Sequence, residues 1–229
     1  MTTISGLRLD DLQKEYSDRL LSVLTVLLLI MLFVVAPFHA AGIKMFEAFG
    51  AIVALVMVAG VFVISASPTA TLVILAGFSL NVFVVISRLI KPSTYDLYLV
   101  AAAWFVIVCT LAVVVARTVF AQGRVSFHRI VGAVLLYLLI ALAFVSLFML
   151  VGLQIPNAFS GLVFEDNEKL ANNLIYFSFV TLTSTGYGDI YPIHPIARSL
   201  CNLETIIGQL YPATLLARLV SLEISGRRR

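Results

Sequence analysis

Thr183-Ser184-Thr185-Gly186-Tyr187-Gly188-Asp189 is a polar interruption between two long apolar runs, and its reading decides the fold. Glycine at alternate positions, 186 and 188, lets the backbone take conformations closed to other residues, so that carbonyls can turn toward one axis. Such a ladder of oxygens can replace the water around a bare cation. Immediately upstream, 170–183 is apolar for only about 14 residues, or about 21 Å as a helix, too short to cross about 30 Å of hydrocarbon. That length fits a re-entrant helix whose chain returns to the same side through the glycine-rich turn. Non-helical backbone at such depth is tolerated only inside protein or beside water, so Gly186 and Gly188 argue for a pore lining rather than a lipid-facing surface. An ordinary surface turn would give the short apolar helix before it no purpose.

Composition points the same way. Of 229 residues, 61% are hydrophobic, against fifteen basic and twelve acidic ones. A soluble domain of this size needs more charge to cover its surface. The charges also gather between apolar stretches. The expected class is an all-α integral membrane protein. A net charge of +3 with no basic face excludes a nucleic-acid partner. Residues 1–19 mix Asp10, Asp11, Glu15 and Asp18 with Arg8, Lys14 and Arg19, which does not read as a cleaved leader. Cys109 and Cys201 fall in apolar spans and are expected as buried thiols, not as a disulfide.

Six crossings are expected, at 20–38, 46–66, 70–90, 97–119, 129–153 and 196–219. The last needs its polar residues to face protein or a cavity. An even number of crossings puts both termini on one side. Arg8, Lys14, Arg19, Arg117, Arg124, Arg129, Arg218 and the arginines at 227–229 make that side the cytoplasm by the positive-inside rule, although Arg88 and Lys91 fall outside. Glu165, Asp166 and Glu168 stand before the short helix. They suit either cation attraction at a pore mouth or capping of that helix, with Asp166 or Asn167 as the cap.

The stretch 179–189, Phe-Val-Thr-Leu-Thr-Ser-Thr-Gly-Tyr-Gly-Asp, resembles the end of the pore helix and the selectivity filter of potassium channels. The filter resemblance covers about ten residues, and the helix–loop–helix resemblance about 129–219. It implies a homotetramer, three identical subunits joining each chain, with K+ as the permeant ion and no cofactor. It also implies ion coordination by the carbonyls of Thr185, Gly186, Tyr187 and Gly188, with Ser184 adding carbonyl and hydroxyl oxygens at the inner edge. Ser184 stands where the family commonly has threonine, and Thr185 where valine or isoleucine is common; neither change removes a carbonyl. Tyr187 should point away from the ion path, braced by Tyr176 and Phe177. Thr183 and Asp189 complete the filter's support, Asp189 sitting just above the filter near the back of the pore helix. The C-terminal end of the pore helix should face the cavity and favour a cation there. No covalent chemistry is required, so the chain is not expected to be an enzyme.

On the last span, Gly208 and Pro212 lie one helical turn apart and are the expected place for the inner helix to bend. Gly208 also suits close helix packing. Glu204 is the unusual ionisable residue there. It should face the pore helix, water or a polar partner such as Asn202, Thr205 or Gln209, and either steady the filter or serve as a neutral packing acid. His128, in the basic link 123–129, is weak ground for a proton sensor.

The expected organisation is a cytoplasmic segment at 1–19, a four-helix membrane domain at 20–119 and an interfacial linker at 120–128. A pore domain follows at 129–219, with its pore helix at 169–183 and filter at 184–188, then a basic cytoplasmic tail at 220–229. The expected setting is a bacterial or archaeal cell membrane, with lipids and an unidentified gating partner as further contacts. A weakly selective monovalent cation channel, or a transporter or accessory subunit that keeps a filter-like turn, are the competing readings. The fourth span has no basic residue from Leu97 through Ala116. Moving one charge through the field is worth about 2.3 kcal/mol per 100 mV, so a span without charges gains little from voltage. A shallow conductance–voltage relation is expected in a reconstituted, blocker-free bilayer; a steep one would show that charge moves elsewhere in the chain.

Overall fold

The structure, a computed structural model, describes residues 19–43, 68–90, 94–120, 127–165 and 168–227. Residues 1–18 of the expected segment 1–19, the second crossing at 46–66, most of the linker and residues 166–167 lie outside these. Six helices are described. Helix α1 is Arg19–Ala40, α2 Pro68–Ile90, α3 Thr94–Val119, α4 Phe127–Gln154, α5 Glu168–Leu182 and α6 Pro195–Arg227. Strands β1, Phe159–Ser160, and β2, Tyr191–Pro192, pair antiparallel. The protein is thus mostly helical, and each expected crossing among the described residues coincides with a helix.

Three of these helices, α1, α3 and α4, are long and apolar enough to cross a membrane. Long runs of Leu, Val and Ala make helices here because a backbone in hydrocarbon must satisfy its hydrogen bonds within its own segment. Pro37 interrupts this pattern in α1. It has no N–H to offer the carbonyl one turn back, and the helix widens into a π-helical turn at Met31–Val35 just before it.

Two apolar clusters hold the helices together. In the first, Leu21, Leu24, Leu28 and Leu32 recur every three or four residues along α1. They meet Val108, Leu111 and Val115 of α3 and Leu135, Leu138 and Leu139 of α4. Polar ties reinforce it: Thr25 Oγ1 lies 3.2 Å from the Val131 carbonyl, and Ser22 Oγ lies 2.8 Å from His128 Nδ1. The second cluster joins α4 to α5 and α6 through Phe144, Phe148, Phe159, Leu170, Leu174, Phe177, Ala197 and Cys201. Cys201 is buried, Cys109 is half-buried, and both are free thiols.

Phe148 is the hub of this second cluster. It is fully buried, with ring centroids of Phe177, Phe159 and Phe144 at 5.0, 5.6 and 6.0 Å. Such rings add edge and offset contacts to their buried area. Phe148→Ala should therefore destabilise the protein by about 3–5 kcal/mol, read as a lowered thermal unfolding midpoint in detergent. An unchanged midpoint would mean that the α4–α5 contact does not depend on this ring.

Candidate functional site

The segment 183–189 leaves the C-terminal end of α5 and is held there by backbone bonds. Thr183, Ser184 and Thr185 donate their N–H groups to the carbonyls of Phe179, Thr181 and Val180, at 3.0, 3.0 and 2.9 Å. Beyond that point the chain leaves helical geometry in a regular way. Ser184, Gly186 and Gly188 have φ of 57°, 60° and 82°, whereas Thr185 and Tyr187 between them keep negative φ. Glycine takes this left-handed region freely. A serine pays about 1–2 kcal/mol for it, and nothing in the residue order signals that Ser184 adopts it.

Side chains hold this backbone from behind. Thr183 Oγ1 donates to the Phe179 carbonyl at 2.7 Å and lies 2.8 Å from Thr185 Oγ1. Because a hydroxyl has one hydrogen, Thr185 is the donor in the second contact. Gln209 of α6 donates from Nε2 to Ser184 Oγ at 2.8 Å. At the other end, Tyr176 donates to Asp189 Oδ2 at 2.9 Å and stacks on Tyr187, with centroids 6.2 Å apart and planes within 3°. Tyr187 is 72% exposed in the single chain.

Phe177 is not part of this bracing. Successive residues on a helix point about 100° apart, so with Tyr176 toward the loop, Phe177 turns into the aromatic cluster around Phe148 and is 3% exposed. The expectation that it packs on Tyr187 is corrected accordingly.

Helix α6 packs behind the segment. Gly208 stands where any Cβ would run into the carbonyl of Leu182, the last residue of α5. The close-packing role therefore applies to Gly208. Helix α6 continues through Pro212. Nearby, Thr205 donates to the Thr181 carbonyl at 3.3 Å and Tyr137 of α4 to the Leu182 carbonyl at 3.4 Å. Tyr137 in turn stacks on Tyr211, whose hydroxyl donates to the Ala133 carbonyl.

Glu204 is fully buried and faces α5, as its cost in hydrocarbon requires. Its partner is Ser178, 2.5 Å from Oε1. The same-helix neighbours offered by the sequence do other work: Gln209 and Thr205 reach the loop and the end of α5, and Asn202 is exposed. Sequence reasoning missed Ser178, although a lone hydroxyl inside Tyr176-Phe177-Ser178-Phe179-Val180 was the available signal.

On the far side, the loop before α5 straps the chain after Asp189. The Ala158 carbonyl accepts from the N–H groups of Ile193 and His194 at 2.8 and 3.1 Å, next to the β1–β2 pair. Gly161 is close enough to the Asp189 carbonyl that a side chain would collide with it. Of the acidic residues before α5, Glu165 is exposed.

Residues 132–224 match the family described as "Ion channel", a range that takes in α4, α5, the segment 183–189 and α6 almost to its end. Over 109 residues the chain is 31% identical to Protein LctB of Bacillus caldotenax, covering 44% of this chain and 76% of that protein. No solved structure matches. The chain belongs to the ion channel family and is a helical membrane protein.

The Gly208–Leu182 contact has a direct test. Gly208→Ala should cost about 1–3 kcal/mol, as small-to-large changes in packed interiors do, measured as a lowered unfolding midpoint in detergent. Wild-type stability in that variant would show that α5 and α6 separate without penalty.

Proposed function

We propose that the protein is a potassium-selective channel subunit. Four copies place their 184–188 segments around one axis and conduct K+ passively, with no enzymatic step and no cofactor. The observation that carries this reading is the alternation of φ sign at Ser184, Gly186 and Gly188 at the end of α5. A chain that alternates in this way can turn consecutive carbonyls to one side, and rings of carbonyls replace the hydration shell of a potassium ion. The carbonyls of Thr185, Gly186, Tyr187 and Gly188 are the proposed ligands, with Ser184 at the inner edge. Thr183, Tyr176 and Asp189 hold them in place.

Further features support the assembly. One chain carries one such segment, and closed symmetry supplies the other three. Leu203, Ile206, Leu210 and Leu216 form an exposed apolar face on α6, and Tyr187 stands out into space that neighbouring copies would occupy. The proposed topology is six crossings with α5 re-entrant, both termini cytoplasmic, in a bacterial or archaeal cell membrane. Bending of α6 is proposed near Pro212, which cannot give an N–H to the carbonyl of Gly208, four residues earlier.

Bi-ionic reversal potentials in a reconstituted bilayer test this reading. A strong preference for K+ over Na+ is expected, together with loss of current in Gly186→Ala, whose side chain is strained at φ 60°. Equal permeability would favour a weakly selective cation channel. Absence of current from purified tetramer would favour a transporter or accessory subunit.

A further inference from the structure

The protons at Ser178 and Glu204 can be counted. Both residues are fully buried where α4, α5 and α6 meet. Ser178 Oγ lies 2.5 Å from Glu204 Oε1 and 2.8 Å from the Ala141 carbonyl. Oxygens this close have a hydrogen between them. The serine hydroxyl owns one, and a carbonyl has none to give. The contact with Ala141 therefore uses the serine hydrogen, and the hydrogen in the other contact comes from the carboxyl group. An ionised carboxylate would leave one of the two contacts as facing lone pairs. It would also leave charge on Glu204 Oε2, a buried atom without a hydrogen-bond partner.

Among the described residues, no cation is placed to offset such a charge. The basic residues of the surrounding helices stand toward their ends: Arg19 and His39 on α1, His128 and Arg129 on α4, Lys169 on α5, and Arg198, Arg218 and Arg227 on α6. At 1.5 Å per residue, Arg198 is about 9 Å along the helix from Glu204, and Lys169 about 13 Å from Ser178. The Arg198 guanidinium group points elsewhere, donating from Nε to the Pro192 carbonyl. Among the described residues, the titratable groups near enough to feel Glu204 are Tyr137 of α4 and Cys201 of its own helix, both neutral donors in their ordinary state. On α5, the remaining titratable side chain in this stretch, Tyr176, is engaged with Asp189.

We infer that Glu204 is a neutral carboxylic acid that donates to Ser178, and that the chain Glu204 to Ser178 to Ala141 is a proton-dependent clamp holding α5 between α4 and α6. Glu204 is then a positioning residue for the segment that α5 carries. It acts through Ser178 and adds no negative charge to the ion path. The structural part of this inference stands alone; its consequence for conduction rests on the channel reading above. Removing the proton breaks one link of the clamp, so the effect has a sign: flux is lost as pH rises, not as it falls.

Infrared difference spectroscopy of the full-length protein in detergent reads the proton directly. At neutral pH the carbonyl band of a protonated carboxylic acid is expected in the wild type. It should vanish in Glu204→Gln and shift in Ser178→Ala, where the acid loses its acceptor. Glutamine keeps a donor at this position, so the fold is retained. In liposome flux assays, wild-type K+ flux should be lost over the alkaline range in which the band disappears, while Glu204→Gln flux persists there. Absence of the band from the wild type overturns the neutral acid. Identical pH–flux profiles in wild type and Glu204→Gln overturn the clamp's positioning role. The infrared measurement needs no ion flow, so its result stands whether or not the protein conducts K+.

Discussion

The close approach of α6 to the last carbonyl of α5, made at Gly208 against Leu182, is the constraint on which the rest of the site depends. It fixes where the helical chain stops and the segment 183–189 begins. That segment has almost no packing of its own, since residues 183–189 are all exposed in the single chain. Its shape is imposed from α5 and α6: Thr183 and Thr185 tie it to the Phe179 carbonyl, Gln209 holds Ser184, and Tyr176 holds Asp189. A left-handed serine persists only where its surroundings over-determine it, and the contacts of Ser184 supply that condition.

Polar groups are few in so apolar a chain, and several near the site make specific bonds between helices. Tyr137 and Thr205 reach the last turn of α5 from α4 and α6, and Ser178 joins all three helices. In surroundings of low polarity an unmade hydrogen bond costs more than it does at a wet surface. Fixed hydrogen bonds of this kind add direction to a contact that apolar burial alone leaves non-directional. The strap from Ala158 to Ile193 and His194 performs the same service on the other side of the segment.

Much of the site was legible because its signals are local. Alternate glycines, a short apolar run before them and a long span after them are features of consecutive residues. The helices lie where the apolar runs predicted them, with α4 and α5 within two residues of the expected bounds. The partners were less legible. Phe177 looked equivalent to Tyr176 because both are aromatic neighbours, and only the rotation of α5 against Phe148 separates them. Glu204 was expected to face the pore helix, water or a polar partner on its own helix; it meets Ser178 of α5, 26 residues away in sequence. Ser184 gave no hint of its left-handed backbone, since serine has no such preference to read.

The amino-acid order alone determined that this is a helical membrane chain with one glycine-rich turn between a short helix and a long one. Hydropathy, helix length and the freedom of glycine are properties of neighbouring residues and need no fold to express them. Tertiary structure alone decided that Gly208 receives a carbonyl, that Ser178 rather than Asn202 meets Glu204, and that Phe177 belongs to the core. The reason is geometric: each depends on how helices far apart in sequence are rotated and set in depth against one another. An apolar face specifies that rotation only to within a broad stripe.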